Sequence, residues 1–320
     1  MVRRAHRGRS PRESDDPSGA PVGSAAVTTP VAINEIGAID LMLSVPTGDP
    51  RRWYDFLRKS LHDKESLEEF EFPAQYMFKH VPHFEEHMDD PVGYVLSEMD
   101  RHGIAMAMLG TGFHNDTTQK IIKEYPDRFF GSFEVDPNRG MEAVRELDAA
   151  VTELGVKAAT AFPAGMSPQV PINDKKFYPL YAKCVELDIP ICVCAGIPGP
   201  RVPFECQNVA HIDEVCWFFP ELKFVTRHGC EPWADLAVKL MLKWPNLYYS
   251  TSAFAPKYYP KDVVHFANTR GEDKVMYAGY FPMGLSLDRI WSDMPEVPFR
   301  DHVWPKFLRD NARRVFKLDV

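Results

Sequence analysis

The chain has 320 residues, 45% hydrophobic and 26% charged, enough material for one sizeable core. A formal charge of −8 argues against nucleic acid or an anionic membrane as the main partner. No apolar run approaches a membrane span, so the chain reads as a soluble, cytoplasmic protein.

Residues 1–32 stand apart from the rest. MVRRAHRGRS is basic, and PRESDDPSGAPVGSAAVTTP holds almost no large apolar residue. Such a stretch cannot bury enough surface to order itself, which predicts a disordered tail. It lacks the apolar run of a secretory signal, and Glu13, Asp15 and Asp16 interrupt a transit-peptide pattern.

From residue 33 onward strands and helices alternate. INEIGAIDLMLSV reads as a strand and is followed by an insertion over residues 51–90, rich in aromatics and acids. PVGYVLSEMDRHG has helical spacing and ends at Gly103; IAMAMLG is a buried parallel strand. NDTTQKIIKEYP is a capped helix, RFFGSFEVD a strand, GMEAVRELDAAVTELG a helix closing on Gly155, and VKAATAF a strand. The helices DKKFYPLYAKCVELD, VAHIDEVCWFFP, EPWADLAVKLMLKWP and PKDVVHFANTRG then precede the strands IPICVCAG, LKFVTRHG, NLYYSTS and DKVMYAG. Pro232 is expected in the first turn of its helix. PKFLRDNARRVFKL closes the chain as a helix. About eight strands, each followed by a helix, predict a (β/α)8 TIM barrel over residues 33–320, with an insertion between strands 1 and 2. A doubly wound open sheet is the rival, but no Gly-x-Gly-x-x-Gly follows the first strand.

Six cysteines lie within residues 184–230, several inside apolar strand-like or helix-like runs, and read as reduced core thiols. Cys192 and Cys194 face the same side of a strand, but no second pair stands at zinc-site spacing. In KHVPHFEEH, His83 and His87 at i, i+4 with Glu86 between them form a weakly zinc-like pattern near His80. Surface clusters of this kind are more often solvated.

Several local sequences carry a family resemblance. PELKFVTRHG followed by PW resembles the sixth strand of amidohydrolase-related proteins, where a histidine ends the strand. NLYYSTS resembles the seventh strand, DKVMYAGYFP the eighth, NARRVFKL the closing helix and IPICVCAG the fifth strand. The branch includes the aminocarboxymuconate-semialdehyde and resorcylate-type decarboxylases, and the resemblance covers roughly residues 35–320. It implies a barrel of the metal-dependent hydrolase (amidohydrolase) superfamily. It also implies one divalent metal, zinc or manganese, at the C-terminal mouth, held by two histidines after the first strand, a third from the fifth and an aspartate from the eighth.

At the matching positions this chain departs from the pattern. Asp40 survives, but the two first-strand histidine positions hold Met42 and Ser44; the fifth strand has Cys194, and Gly279-Tyr280 replaces the Ser-Asp of the eighth. His228 remains. The expectation is therefore a dismantled site with no bound metal, in which Tyr280 and Met42 fill part of the mouth. The candidate catalytic residues are His228, Cys194 and Asp40. Cys194 would become an activated thiolate if His228 lay beside it, although a buried inert thiol is the commoner case. Asp40 needs compensation, which Arg227 or Arg201 can supply. Arg201 and Arg227, with Tyr280 and Met42, are the candidate substrate-binding residues; Arg51 and Arg52 beside Trp53 either clamp an acidic ligand or line the surface. Glu231 is read as a charge favouring a helix N-terminus.

Three readings follow. The first is a non-catalytic partner or accessory subunit, associating with itself or another protein through the 51–90 insertion. A resemblance to amidohydrolase-like proteins that accompany bacterial multicomponent monooxygenases makes an oxygenase subunit a candidate partner. The second is a hydrolase or carboxy-lyase acting with an altered site on a small carboxylated or cyclic substrate. The third is a small-molecule binder using the emptied mouth.

Overall fold

Eight parallel strands in the order β1 to β8 form the frame of the chain. The computed structural model describes residues 32–46 and 50–320; the expected disordered tail lies almost wholly outside the described residues. The strands are β1 (Ala38–Asp40), β2 (Ile104–Thr111), β3 (Phe129–Glu134), β4 (Ala158–Ala161), β5 (Ile191–Cys194), β6 (Phe224–Arg227), β7 (Leu247–Ser250) and β8 (Val275–Met276). The sheet closes where Leu43, beyond β1, bridges to Phe281, beyond β8, and the Ser44 N–H donates to the Phe281 carbonyl at 2.9 Å. The molecule is the expected (β/α)8 barrel.

Helices cover the outside: α1 (Pro91–Arg101), α2 (Asp116–Glu124), α3 (Met141–Leu154), α4 (Tyr178–Glu186), α5 (His211–Phe218), α6 (Ala234–Lys243), α7 (Lys261–Ala267) and α8 (Leu287–Asp293). Their ends follow local chemistry. The Asp90 and Asn115 side chains accept from the amides of Gly93 and Thr118 at the starts of α1 and α2. α3 stops at Gly155, whose left-handed backbone suits a residue without a Cβ. Among the described residues no helix is long and apolar enough to cross a membrane.

The two-residue period of the strands sorts side chains into two cores. Ile39, Met106, Phe130, Ala158, Cys192, Val225, Tyr248 and Met276 point inward, and Phe316 of the closing helical run plugs that interior. Their odd-spaced neighbours, among them Ala107, Phe129, Ala159, Ile191, Phe224 and Leu247, pack outward against the helices. Carried two residues further, the same alternation sets Ser132, Thr160, Cys194 and Arg227 inward at the C-terminal ends.

Two expected elements are corrected. The long INEIGAIDLMLSV strand is only Ala38–Asp40, because Gly37 takes φ +75° and separates it from a short 3-10 turn over Ile33–Glu35. α6 begins at Ala234, so Pro232 precedes the helix; His228 and Gly229 both adopt left-handed backbone and delay its start.

The insertion folds into short 3-10 and π turns rather than long helices. Arg201, in the β5–α5 loop, pairs with Asp63 at 2.6 Å and Glu65 at 2.8 Å and lies over the rings of Phe70 and Tyr76. The Tyr76 hydroxyl donates to the Gly199 carbonyl at 2.8 Å. These contacts tie the insertion to the loop after β5.

Gly103 joins α1 to β2 at φ +68°, and a Cβ there would lie 2.0 Å from the Asn34 carbonyl oxygen. Gly103→Ala is therefore expected to destabilise the barrel by about 2–3 kcal/mol in urea unfolding. An unchanged midpoint would show that the N-terminal turn gives way freely.

Candidate active site

Every strand except β2 delivers a side chain, from its end or the loop beyond it, to a cavity of about 220 Å3 roofed by the insertion. Met42 follows β1, Glu134 ends β3, Phe162 follows β4, Cys194 ends β5, Arg227 and His228 leave β6, Phe254 follows β7 and Tyr280 follows β8. Tyr54, Phe56, Phe72 and Phe78 of the insertion complete the wall. Placement at the C-terminal ends of the strands is where barrels of this kind hold their chemistry.

Arg227 dominates the electrostatics. Its Nη2 lies 3.0 Å from the Met42 sulfur, its Nε is buried without an acceptor, and among the described residues no carboxylate forms an ion pair with it. Burial opposes its charge, but the nearby Cys194 and Glu134 outweigh burial and hold its pKa above the usual arginine value. The mouth thus contains a guanidinium with Glu134 as an anionic neighbour and no direct ion pair among the described residues.

His228 takes φ +62°, a costly conformation for a residue with a Cβ. Two contacts hold it there: its backbone N–H donates to Ser252 Oγ at 2.8 Å, and Ser252 Oγ lies 3.1 Å from Nδ1. With the Ser252 hydroxyl donating to Nδ1, the proton of the neutral ring sits on Nε2. Burial, then the charge of Arg227, pushes the imidazole pKa down to about 3. The ring meets Tyr280 edge-on at 5.4 Å. Tyr280 in turn stacks on Phe78 at 5.9 Å and shares a hydrogen bond with the Tyr54 hydroxyl; burial raises both phenols.

The other expected residues are placed as follows. Cys194 lines the cavity but is 2% exposed, and burial pushes its thiol up to about 12 against the pull of Arg227. Its surroundings favour the thiol over a thiolate nucleophile. Asp40 lies beneath the mouth, 0% exposed and lining neither main cavity. Among the described residues no arginine pairs with it: Oδ1 accepts from the amides of Met42 at 2.9 Å and Gly279 at 2.8 Å. Arg201 clasps the insertion and does not line the cavity. Glu231 does not serve a helix end either; its Oε2 accepts from the Cys230 amide at 3.0 Å and burial raises its pKa. The side chains of Arg51 and Arg52 lie outside the described residues. His87 stacks on Tyr94 at 3.8 Å, and among the described residues no three His, Cys, Asp or Glu side chains form a metal-sized group.

Glu134 and Ser252 were not among the residues the sequence pointed to, and Tyr54 stood there only as one of the aromatics of the insertion. The Glu134 signal was available: an acid at the inward end of RFFGSFE faces the mouth by strand alternation alone.

Fold and site together define a (β/α)8 barrel with a cationic, aromatic-walled mouth. The chain belongs to the amidohydrolase family, whose sequence profile matches residues 62–318. An uncharacterized TIM-barrel protein of Bordetella bronchiseptica superposes with a TM-score of 0.70 at 21% identity, over 88% of this chain and 98% of that one. A 5-carboxyvanillate decarboxylase of Novosphingobium aromaticivorans, solved with manganese, gives 0.64 at 20% identity over 89% and 99%. A 2-keto-4-carboxy-3-hexenedioate hydratase of Sphingobium is 26% identical over 132 residues, covering 36% of this chain and 39% of the hydratase. The chain thus matches well under half of that relative's length.

The donors at the mouth do not fit a divalent cation. A guanidinium already lies against the Met42 sulfur, Cys194 is a high-pKa thiol, and His228 has Nδ1 engaged by Ser252. A second cation would meet Arg227 before it met three good ligands. We propose that the purified protein carries no stoichiometric zinc, manganese or iron, as elemental analysis after chelator-free purification would show. One equivalent, lost in Cys194→Ala or His228→Ala, would contradict this.

Burial raises the Asp40 pKa to about 7, against the opposing pull of the Gly279 and Met42 amides and the Tyr277 hydroxyl. A carboxyl with a raised folded-state pKa loses stability as pH climbs from its unfolded value toward 7, because the folded state binds the proton more tightly. Asp40→Asn keeps an acceptor oxygen and should gain on the wild type by up to roughly 4 kcal/mol between pH 4 and pH 8. Parallel stability profiles for the two proteins would refute the shift.

Proposed function

We propose that the mouth is a catalytic pocket for a small carboxylated cyclic substrate, on which the protein acts as a carboxy-lyase or hydrolase. One observation carries this reading: Arg227, which forms no ion pair among the described residues, stands in a cavity whose walls include Tyr54, Phe56, Phe72, Phe78, Phe162 and Phe254. A half-buried guanidinium of this kind favours an anion that completes it, and flat apolar walls suit a ring. The family membership and the decarboxylases and hydratases among the relatives support an enzyme rather than an accessory subunit.

The residues divide the work by their chemistry. Arg227 holds the carboxylate with a planar fork of donors. The Tyr54–Tyr280 pair offers hydroxyl groups to an oxygen substituent on the ring. His228, neutral above about pH 3, offers an Nε2–H donor that stabilises developing negative charge without adding a fixed cation. The insertion excludes water, strengthening each of these interactions.

The test is incubation with a panel of hydroxylated aromatic carboxylates, including 2,6-dihydroxybenzoate and 5-carboxyvanillate, followed by proton NMR. At least one should be consumed. Arg227→Met should weaken its binding by about 100-fold, with Arg227→Lys intermediate. Tight binding without turnover of any compound would instead restore the small-molecule binder.

A further inference from the structure

A second cavity, of about 630 Å3, adjoins the first, and the two share Met42, Glu134 and Arg227 as their common wall. The compartments differ in chemistry. The first is aromatic; the second carries the polar side chains of Thr111, Ser132, Thr160, His114 and Asn115. Thr111 Oγ1 is buried there without a hydrogen-bond partner.

Glu134 stands at the junction as an exposed residue, and among the described residues it forms no ion pair. Arg139 lines the same compartment but is consumed by Glu142 at 2.8 Å and Glu146 at 2.6 Å. Arg227 and Glu134 therefore border one space as a cation and an anion whose charges act on each other without a direct ion pair among the described residues. A ligand that satisfies both must carry both charges. A second carboxylate at Glu134 would be repelled, whereas an ammonium has three donors for this carboxylate and the neighbouring hydroxyl oxygens.

We infer that the ligand is an amine-bearing cyclic carboxylate: Arg227 takes the carboxylate, Glu134 the ammonium, and the aromatic compartment the ring. This rests on the carboxylate reading of Arg227 and adds a second recognition element to it.

Isothermal titration with four probes on one skeleton separates the two claims: L-phenylalanine, 3-phenylpropanoate, phenethylamine and benzylmalonate. The wild type should bind L-phenylalanine about tenfold more tightly than 3-phenylpropanoate, and benzylmalonate least of the three carboxylates. Glu134→Gln, with its fold checked by circular dichroism, should remove the preference for L-phenylalanine over 3-phenylpropanoate without weakening 3-phenylpropanoate, and should improve benzylmalonate. Equal wild-type affinity for L-phenylalanine and 3-phenylpropanoate, or equal weakening of both in Glu134→Gln, would overturn the amine while the carboxylate anchor stood. Failure of 3-phenylpropanoate to bind, or binding indifferent to Arg227→Met, would remove the anchor and this inference together.

Discussion

The guanidinium of Arg227, resting on the Met42 sulfur at the end of β6, is the charge around which the mouth is organised. It arrives by strand alternation: Val225 points into the barrel, so Arg227, two residues on, must do the same. Once a permanent cation stands there, its neighbours adjust. It helps hold His228 neutral and lowers the cost of phenolate character at Tyr54 and Tyr280. Burial nonetheless wins at Cys194, whose thiol stays protonated. The family resemblance leads one to expect a metal ion as the positive charge at this end of the barrel; we propose that Arg227 takes that place here.

This exchange changes the available chemistry. A metal polarises an oxygen or activates water through an open coordination position. An arginine instead orients a carboxylate by geometry, with directional donors and no exchangeable ligand. The polar partners nearby are therefore a neutral imidazole, a tyrosine pair and the Glu134 carboxylate. On that proposal, positioning and preformed hydrogen-bond donors are the means of catalysis these residues offer.

Most of the barrel was legible in the sequence because the alternation of short apolar runs with amphipathic segments depends on local periodicity. The site was legible only in part. His228, Cys194, Met42, Tyr280 and Arg227 all line the cavity, since each sits at or just beyond a strand end. Asp40 and Arg201 do not, because their partners are set by packing between distant segments. Asp40 is drawn under Gly279 by closure of β1 against β8, and Arg201 is captured by Asp63 and Glu65. Tyr54 was hidden for another reason: it lies in an insertion of short turns with no periodicity to reveal which aromatics face inward. Phe72 and Phe84 of that insertion are buried, whereas Phe56, Tyr76 and Met77 are exposed.

The most direct test of Arg227 as the resident charge is a crystal structure grown with benzoate and manganese, with anomalous data collected near the manganese edge. The account predicts carboxylate density on the Arg227 guanidinium, the benzoate ring among the aromatic walls, and no anomalous peak at the mouth. An anomalous peak between Cys194 and His228, with Arg227 swung aside, would contradict it.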